Sequence, residues 1–150
     1  MWKKQKSIPG KEAVKTEKKY KHLTIEEMDT VIGRTSGKVI LTIHFTAFNF
    51  MIGILSDNKS SGEVTSKIKR LKQTLVDNGF SFGKLIPVLL TDNGGEFGNV
   101  SGFELNLEAE KETGVFCCHT YSSCEKGKIE KNHTLLRYIV PKDKSFDRFS

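Results

Sequence analysis

Residues 38–45 (KVILTIHF) and 48–55 (FNFMIGIL) decide the fold class of this 150-residue chain. Both segments are rich in β-branched and aromatic residues, as strands are, and only Thr46-Ala47 separates them. The sequence therefore predicts a β-hairpin. Residues 27–33 (EMDTVIG) lie just before it and predict another strand, so the three strands are expected to form an antiparallel meander.

A helix is predicted after this meander. Ser60 and Glu63 have the spacing of a capping box, and Asn78-Gly79 is a typical helix end. The apolar residues between these two signals recur with the period of one helix face: Val64, Ile68, Leu71 and Leu75. The pattern predicts a single amphipathic helix that packs on the sheet.

The second half of the chain alternates between strand and helix signals. Residues 86–91 (IPVLLT) form a continuous apolar run, typical of a strand buried on both faces, and residues 92–95 form a turn. Residues 115–118 predict another short strand. A last helix is expected to open at residues 122–125 and to end at Pro141.

The order of these elements predicts an α/β fold. An antiparallel trio that leads into strands separated by helices is typical of a mixed sheet. Ribonuclease-H-like domains have this layout. The expected fold is a ribonuclease-H-like mixed five-stranded sheet flanked by helices.

The net charge of +6 is concentrated at the start of the chain. Residues 1–24 hold eight lysines against two glutamates, whereas residues 25–150 hold equal numbers of basic and acidic residues. We interpret residues 1–24 as a basic flexible arm or linker and residues 25–150 as one domain. The arm is either a plain solvated linker or a segment that lies along nucleic-acid phosphates.

Several classes of protein are excluded by composition. No apolar run approaches the ~20 residues of a membrane span, and residues 1–6 lack the apolar stretch of a signal peptide. Three clustered cysteines argue against a disulfide-stapled secreted fold and favour a reduced cytosolic protein. The cysteines could bind zinc with nearby histidines, but without a Cys-x-x-Cys pair they are better interpreted as core residues: Cys117, Cys118, Cys124, His119 and His133.

Three carboxylates are candidates for chemistry. Asp29 lies inside the first strand, Asp92 follows the buried strand, and Glu130 lies on the last helix. Each has a plain alternative: an outward-facing strand residue, a turn aspartate and a solvated helix glutamate. Glu96 and Glu125 compete with Glu130 as the third carboxylate. Together, three such groups could hold the two divalent ions, ~3.5–4 Å apart, that serve phosphoryl transfer.

Three sequence motifs resemble those of the insertion-sequence-thirty group of bacterial transposases. Residues 27–33 (EMDTVIG) resemble the first catalytic-aspartate motif, and residues 91–97 (TDNGGEF) resemble the second. The third motif is matched by residues 121–123, 125–127, Glu130 and 135–137 (LLR), and Pro141-Lys142 follows as in the family.

The resemblance implies an integrase catalytic core with an Asp-Asp-Glu triad. The catalytic and metal-binding residues would be Asp29, Asp92 and Glu130, with two Mg²⁺ or Mn²⁺ ions as cofactors. The implied activity is DNA transposition, in which water nicks the transposon end and the freed 3′ hydroxyl attacks target DNA. Transposon-end and target DNA would be the partners, with a homo-oligomer as the active complex in the bacterial cytoplasm at the nucleoid.

Residues 126–148 are basic, with seven basic residues and three acidic ones. This stretch is either an ordinary solvated helix face or a phosphate-binding surface beside the carboxylates. The candidates for contact with DNA are Lys126, Lys128, Lys131, His133 and Arg137.

The chain also departs from the family pattern. Cys124 and Glu26 stand where the family usually has tryptophan, and Ile129 and Lys131 replace the asparagines that usually flank the catalytic glutamate. Family members carry an amino-terminal helix-turn-helix region, and their core continues past the last helix. Neither is matched here, so we expect an isolated core or one truncated at its carboxyl end. Two alternatives stay open: an inactive fragment that only binds DNA, and another ribonuclease-H-like nuclease.

Overall fold

The computed structural model describes residues 3–4, 23–33, 37–118, 127–142, 144–147 and 149. Its strands, in chain order, are β1 (Lys3–Lys4), β2 (Ile25–Ile32), β3 (Val39–Phe45), β4 (Phe50–Ser56), β5 (Val88–Thr91) and β6 (Gly114–Cys117). Its helices are α1 (Ser61–Asp77), α2 (Phe82–Leu85), α3 (Val100–Glu104) and α4 (Gly127–Ile139), with a 3₁₀ turn at Gly95–Phe97.

The strands form one mixed sheet in the order β1-β6-β5-β2-β3-β4. Strands β2, β3 and β4 are the predicted antiparallel meander. Strand β5 pairs in parallel with both β2 and β6, so the parallel strands lie in the interior of the sheet. The prediction of a mixed α/β sheet is confirmed.

The hairpin between β3 and β4 differs from its prediction by two residues. The turn takes in residues 46–49, and β4 begins at Phe50 rather than at Phe48. Asn49 adopts a positive φ of 49°, a conformation that asparagine tolerates better than most residues. The four-residue turn therefore takes Phe48, which is exposed, out of the ladder.

The sheet has a sixth strand that the sequence did not predict. Strand β1 pairs antiparallel with β6, with Lys3 opposite Cys117 and Lys4 opposite Phe116. Two lysines carry no apolar pattern, so only the pairing with the edge of β6 makes them a strand. Residues 1–2 and 5–22 of the predicted arm lie outside the described residues.

Helix α1 covers one face of the sheet as its pattern predicted. The Ser60 hydroxyl caps it by accepting a hydrogen bond from the Glu63 N–H at 3.3 Å, and the helix ends just before Asn78. The core beneath it joins apolar residues of the sheet and the helix with two phenylalanines of the following segment: Met28, Leu41, Ile43, Val64, Ile68, Leu89, Phe97 and Phe103.

Helix α1 also contributes a buried charge. Lys72 is 2% exposed, and its ammonium donates to the carbonyls of Phe103 (2.8 Å) and Leu105 (2.5 Å) and pairs with Glu112 at 3.0 Å. Desolvation by burial lowers the pKa of Lys72, and Glu112 opposes that shift. These contacts fix the irregular segment after α3 to the helix.

Helix α4 packs on the opposite face, against β2 and β3. A small core lies there, built from Val31, Val140 and Phe146. The helix ends at Ile139, just before Pro141 as predicted, whereas its predicted start at residues 122–125 lies outside the described residues. Among the helices described, none is long and apolar enough to cross a membrane.

Candidate functional site

Asp29 lies in the middle of β2, on the same face of the sheet as helix α4. Its side chain is half-buried, and its Oδ1 accepts a hydrogen bond from the N–H of Thr30 at 2.8 Å. Asp29 pairs with Thr42 of β3, and the Thr42 hydroxyl donates to the Asp29 carbonyl at 3.1 Å. Strand β3 therefore holds the backbone of Asp29 through both the ladder and the Thr42 hydroxyl.

Asp92 follows the last residue of β5. Its Oδ1 accepts a hydrogen bond from the N–H of Gly94 at 2.8 Å, which is the turn-aspartate bond anticipated as its plain alternative. The Asn93 amide donates to the Cys118 carbonyl at 3.0 Å and ties the turn to the end of β6. The turn bond fixes the orientation of the Asp92 carboxylate.

The register of β2 and β5 brings the two aspartates side by side. The parallel pairing runs from Ile25 opposite Val88 to Glu27 opposite Leu90. The same offset, continued by two residues, puts Asp29 level with Asp92 on the neighbouring strand. Both carboxylates therefore lie at the carboxyl end of the parallel strand β5, along the edge of the sheet that the strand ends form. This is the usual place for a site in α/β sheets.

Glu96 is a third carboxylate near this edge, in addition to Asp29 and Asp92. It is 6% exposed, and its Oε1 accepts from the Thr30 hydroxyl at 2.8 Å and faces the Lys59 ammonium at 3.4 Å. The sequence had raised Glu96 only as a competitor for the third position. Thr30 is adjacent to Asp29 in the sequence, and this adjacency could have identified Thr30 as a residue of the site. Nothing in the sequence identifies Lys59 as one.

Gly94 separates the carboxylates of Asp92 and Glu96. A Cβ at this glycine would lie 2.5 Å from Glu96 Oε2 and 2.8 Å from Asp92 Oδ1. Both oxygens thus converge on the space that a side chain would fill. A larger residue at this position would displace at least one of the two carboxylates.

Glu130 lies on helix α4, within its first turn. The helix packs against β2, the strand of Asp29, but the side chain of Glu130 is outside the described part of the structure. Among the side chains that are described, no group of three or more carboxylate, histidine or cysteine residues could hold a metal ion. Asp29, Asp92 and Glu96 lie near this edge, but their described positions do not form such a group.

Two of the five candidate DNA-binding residues on this segment face the sheet. His133 Nε2 lies 2.7 Å from the Thr42 hydroxyl, and an Arg137 Nη2 donates to the Ile32 carbonyl at 2.6 Å. Lys131 is exposed. Lys126 and the side chain of Lys128 lie outside the described residues, so Lys131 is the described candidate that is open to a phosphate.

The cysteines occupy the end of β6. Cys117 and Cys118 are buried thiols, and Cys118 packs with Val88, Leu90 and Phe116. Cys124 and His119, the other candidate zinc ligands, lie outside the described residues. The two described cysteines therefore occupy core positions.

Comparison with known proteins finds a bacterial transposase among the relatives of this chain. No protein-family model matches the chain. Over 120 residues, or 80% of its length, the chain is 30% identical to the transposase for insertion sequence element IS4351 of Bacteroides fragilis. The chain spans about a third, 33%, of the length of that relative.

Solved structures with the same fold include integrase catalytic cores. The catalytic core domain of BIV integrase matches with a TM-score of 0.53 and 17% identity, over 77% of this chain and 67% of that one. The fold is that of an integrase catalytic core. An HTLV-2 integrase catalytic core domain, solved in complex with magnesium in a trimeric form, matches with a TM-score of 0.52 and 14% identity over the same shares.

The integrase-like fold also matches one larger assembly. The simian T-cell lymphotropic virus intasome, in complex with PP2A regulatory subunit B56 gamma, aligns with a TM-score of 0.55 and 16% identity, over 77% of this chain and 38% of that chain. The expected ribonuclease-H-like architecture is therefore confirmed. Assignment to the insertion-sequence-thirty group stays a prediction.

Proposed function

We propose that this chain is the catalytic core of a DNA transposase that carries out metal-dependent phosphoryl transfer. The observation that carries the proposal is the register of Asp29 and Asp92 at the end of adjacent parallel strands. Similarity to a transposase and the integrase-like fold support it. The reaction would nick a transposon end and join the freed 3′ hydroxyl to target DNA.

The residues at this edge fit a hard divalent cation. Carboxylate oxygens are the ligands that Mg²⁺ and Mn²⁺ prefer, and the register of β2 and β5 puts Asp29 level with Asp92. Asp29, Asp92 and Glu130 would hold the ions. When bound, two such ions activate the attacking oxygen and stabilise the leaving oxygen of a phosphoryl transfer.

The protein itself would supply position and charge. The ladder between β2 and β3 fixes Asp29, and the turn bond to Gly94 fixes Asp92. Preorganised groups of this kind avoid the cost of reorganisation when charge develops during the reaction. Lys131 is exposed on helix α4 and would contact DNA phosphates, as would the lysines of residues 1–24.

Glu96 has a different role in this proposal from the triad. Its Oε1 is already engaged by the Thr30 hydroxyl and by Lys59, which is half exposed. A carboxylate held in this way supports the turn that carries Asp92. We therefore keep Glu130 as the third metal-binding residue and assign Glu96 to the support of that turn.

The active complex would be a homo-oligomer that binds transposon ends and target DNA together. One structural neighbour is part of an intasome and another was solved in a trimeric form, and these assemblies are those of the neighbours themselves. Membership of the insertion-sequence-thirty group is part of the same proposal. The motifs at residues 27–33, residues 91–97 and Glu130 support it.

The proposed activity can be tested in an assay that does not require recognition of a transposon end. The substrate is a branched oligonucleotide in which transposon-end DNA is already joined to target DNA. This is the product of strand transfer, and the same site must catalyse its resolution. With Mn²⁺, the wild-type chain should release the joined strand and Asp92→Asn should not. Equal activity of the two proteins would refute the assigned role of Asp92.

Two further substrates separate the alternatives. A ribonuclease-H-like nuclease would cleave an RNA–DNA hybrid in preference to the branched DNA. An inactive fragment that only binds DNA would shift the branched oligonucleotide in a gel without resolving it in Mn²⁺ or Mg²⁺. Either result would replace the proposed activity with that alternative.

A further inference from the structure

Thr42 connects the two elements that carry Asp29 and Glu130. It is fully buried on β3, directly opposite Asp29 in the register of the sheet. Its Oγ1 lies 3.1 Å from the Asp29 carbonyl oxygen and 2.7 Å from Nε2 of His133 on helix α4. One hydroxyl thus touches both the strand of the first carboxylate and the helix of the third.

The protons of this contact can be assigned from the chemistry of its groups. A threonine hydroxyl has one proton, and a carbonyl oxygen can only accept. Both contacts are hydrogen bonds together when the Thr42 hydroxyl donates to the Asp29 carbonyl and its oxygen accepts from His133, an arrangement that places the proton on Nε2 of His133. The order of donation runs from His133 to Thr42 and from Thr42 to Asp29.

Helical spacing relates His133 to Glu130. The two positions are three residues apart on α4, so they lie on one face of the helix about one turn from each other. One further turn along, Arg137 donates to the carbonyl of Ile32, three residues after Asp29 on β2. The helix is therefore anchored twice to the strand pair that carries Asp29.

We propose that Thr42 and His133 are positioning residues that set the distance between Asp29 and Glu130. This inference rests on the proposed metal site. Catalytic carboxylates must be held within about 0.5 Å of the productive geometry, and a helix that shifts on its sheet would lose that precision. His133, which the sequence suggested for contact with DNA, would then position helix α4 on the sheet instead.

The test compares a pair of substitutions at one position. Thr42→Val keeps the shape of the side chain and removes the hydroxyl, whereas Thr42→Ser keeps the hydroxyl. Thr113→Val is the matched control: Thr113 is buried and its hydroxyl also donates to a carbonyl, that of Ile86 at 2.9 Å, away from α4. Each variant is measured for Mn²⁺ affinity, for resolution of the branched DNA and for thermal unfolding.

A positioning role predicts a loss of metal affinity without a matching loss of stability. Thr42→Val should bind Mn²⁺ at least about tenfold more weakly than the wild type and resolve the branched DNA correspondingly more slowly. Thr42→Ser should restore most of both. Thr113→Val should unfold at a similarly reduced temperature to Thr42→Val while keeping wild-type Mn²⁺ affinity.

A spectroscopic readout tests the hydrogen bonds independently of the metal. The ¹⁵N signals of the neutral His133 ring can be assigned because they are missing from the spectrum of His133→Gln. These signals should show a protonated Nε2 in the wild type and in Thr42→Ser. Thr42→Val should lose that preference.

The opposite tautomer in the wild type, or unchanged Mn²⁺ affinity in Thr42→Val, would overturn the inference. A wild type that shows the expected tautomer but binds no Mn²⁺ would refute the proposed function and, with it, the positioning role.

Discussion

Asp29 and Asp92 stand level with each other on adjacent parallel strands, two residues beyond the last pair of the β2–β5 ladder. Neither residue reaches this position through a long side chain or a flexible loop. Each is fixed by its backbone, Asp29 by the pairing with Thr42 and Asp92 by its turn bond to Gly94. The two carboxylates therefore stand at one end of the sheet without any help from a flexible loop.

Asp92→Asn should remove metal-dependent activity and leave the fold intact. Asparagine keeps the oxygen that accepts the Gly94 N–H, so the turn survives, but the negative charge is lost. We expect resolution of the branched DNA to fall by roughly 100-fold or more, since even supporting residues of metal sites cost 10–100-fold. Asp57→Asn, an exposed aspartate at the end of β4, is the control and should behave as the wild type.

Glu130→Gln and Glu96→Gln should differ in their effects. Glutamine at position 96 can still accept the Thr30 hydroxyl and loses only the pairing with half-exposed Lys59. We expect Glu96→Gln to lose less than about tenfold in activity and Glu130→Gln to lose roughly 100-fold or more. The reverse order, measured on the same branched DNA, would make Glu96 the third metal-binding residue.

Much of the fold could be predicted because it is written in local patterns. The β-branched runs of β3 and β4, the capping box at Ser60 and the apolar run before Asp92 each signal an element from adjacent residues. The residues around Asp29 and Asp92 also match short motifs. These signals sufficed for a mixed sheet and for two of the carboxylates at its edge.

The rest depends on contacts between residues far apart in sequence. Lys59 meets Glu96 only after α1 has packed on the sheet, and Thr42 meets His133 only across the β3–α4 interface. Residues 96–113 gave no clear period because their short helices are held by tertiary bonds, including those from Lys72. No local pattern encodes such partners.

Lys72→Met should destabilise the domain more than an ordinary surface change. The substitution leaves Glu112 without its buried partner and two carbonyls without a donor, so we expect a loss of about 3 kcal/mol in the free energy of unfolding. The double variant Lys72→Met/Glu112→Gln should recover part of this loss, because it no longer leaves a buried charge unpaired. Strictly additive losses in urea titrations would argue against the ion pair.

The lowered pKa of Lys72 predicts how stability depends on pH. The unfolded chain keeps this proton up to an ordinary pKa of about 10.5, whereas the folded protein releases it earlier because burial disfavours the charge. Below pH 10.5 the unfolded state therefore binds more protons, and the free energy of unfolding rises with pH. The wild type should gain stability relative to Lys72→Met as the pH approaches 10.5; a flat or falling difference would contradict this.

Phe146→Ala should show that the segment after α4 belongs to the domain. Phe146 is fully buried with Val31 and Val140, so its truncation leaves a cavity beneath the helix. We expect the free energy of unfolding to drop by about 3–5 kcal/mol. Phe149→Ala, at a ring that is 41% exposed, should cost much less, and equal losses in the two variants would place Phe146 outside the core.

The lysines of residues 1–24 should contribute to DNA affinity through charge alone. Replacing Lys15, Lys18 and Lys19 with glutamine leaves strand β1 unchanged and removes three positive charges from the arm. Each lysine that contacts a phosphate contributes about 0.9 to the slope of log affinity against log salt, so the slope for duplex DNA should fall by about 3.

The control for the arm removes the same charge from the domain surface. Lys69, Arg70 and Lys84 are exposed on α1 and α2, and their replacement by glutamine also lowers the net charge by three. If the arm lies along DNA, these substitutions should leave the salt slope nearly unchanged. If both triple variants lose slope equally, affinity follows net charge rather than the arm, and residues 1–24 act only as a linker.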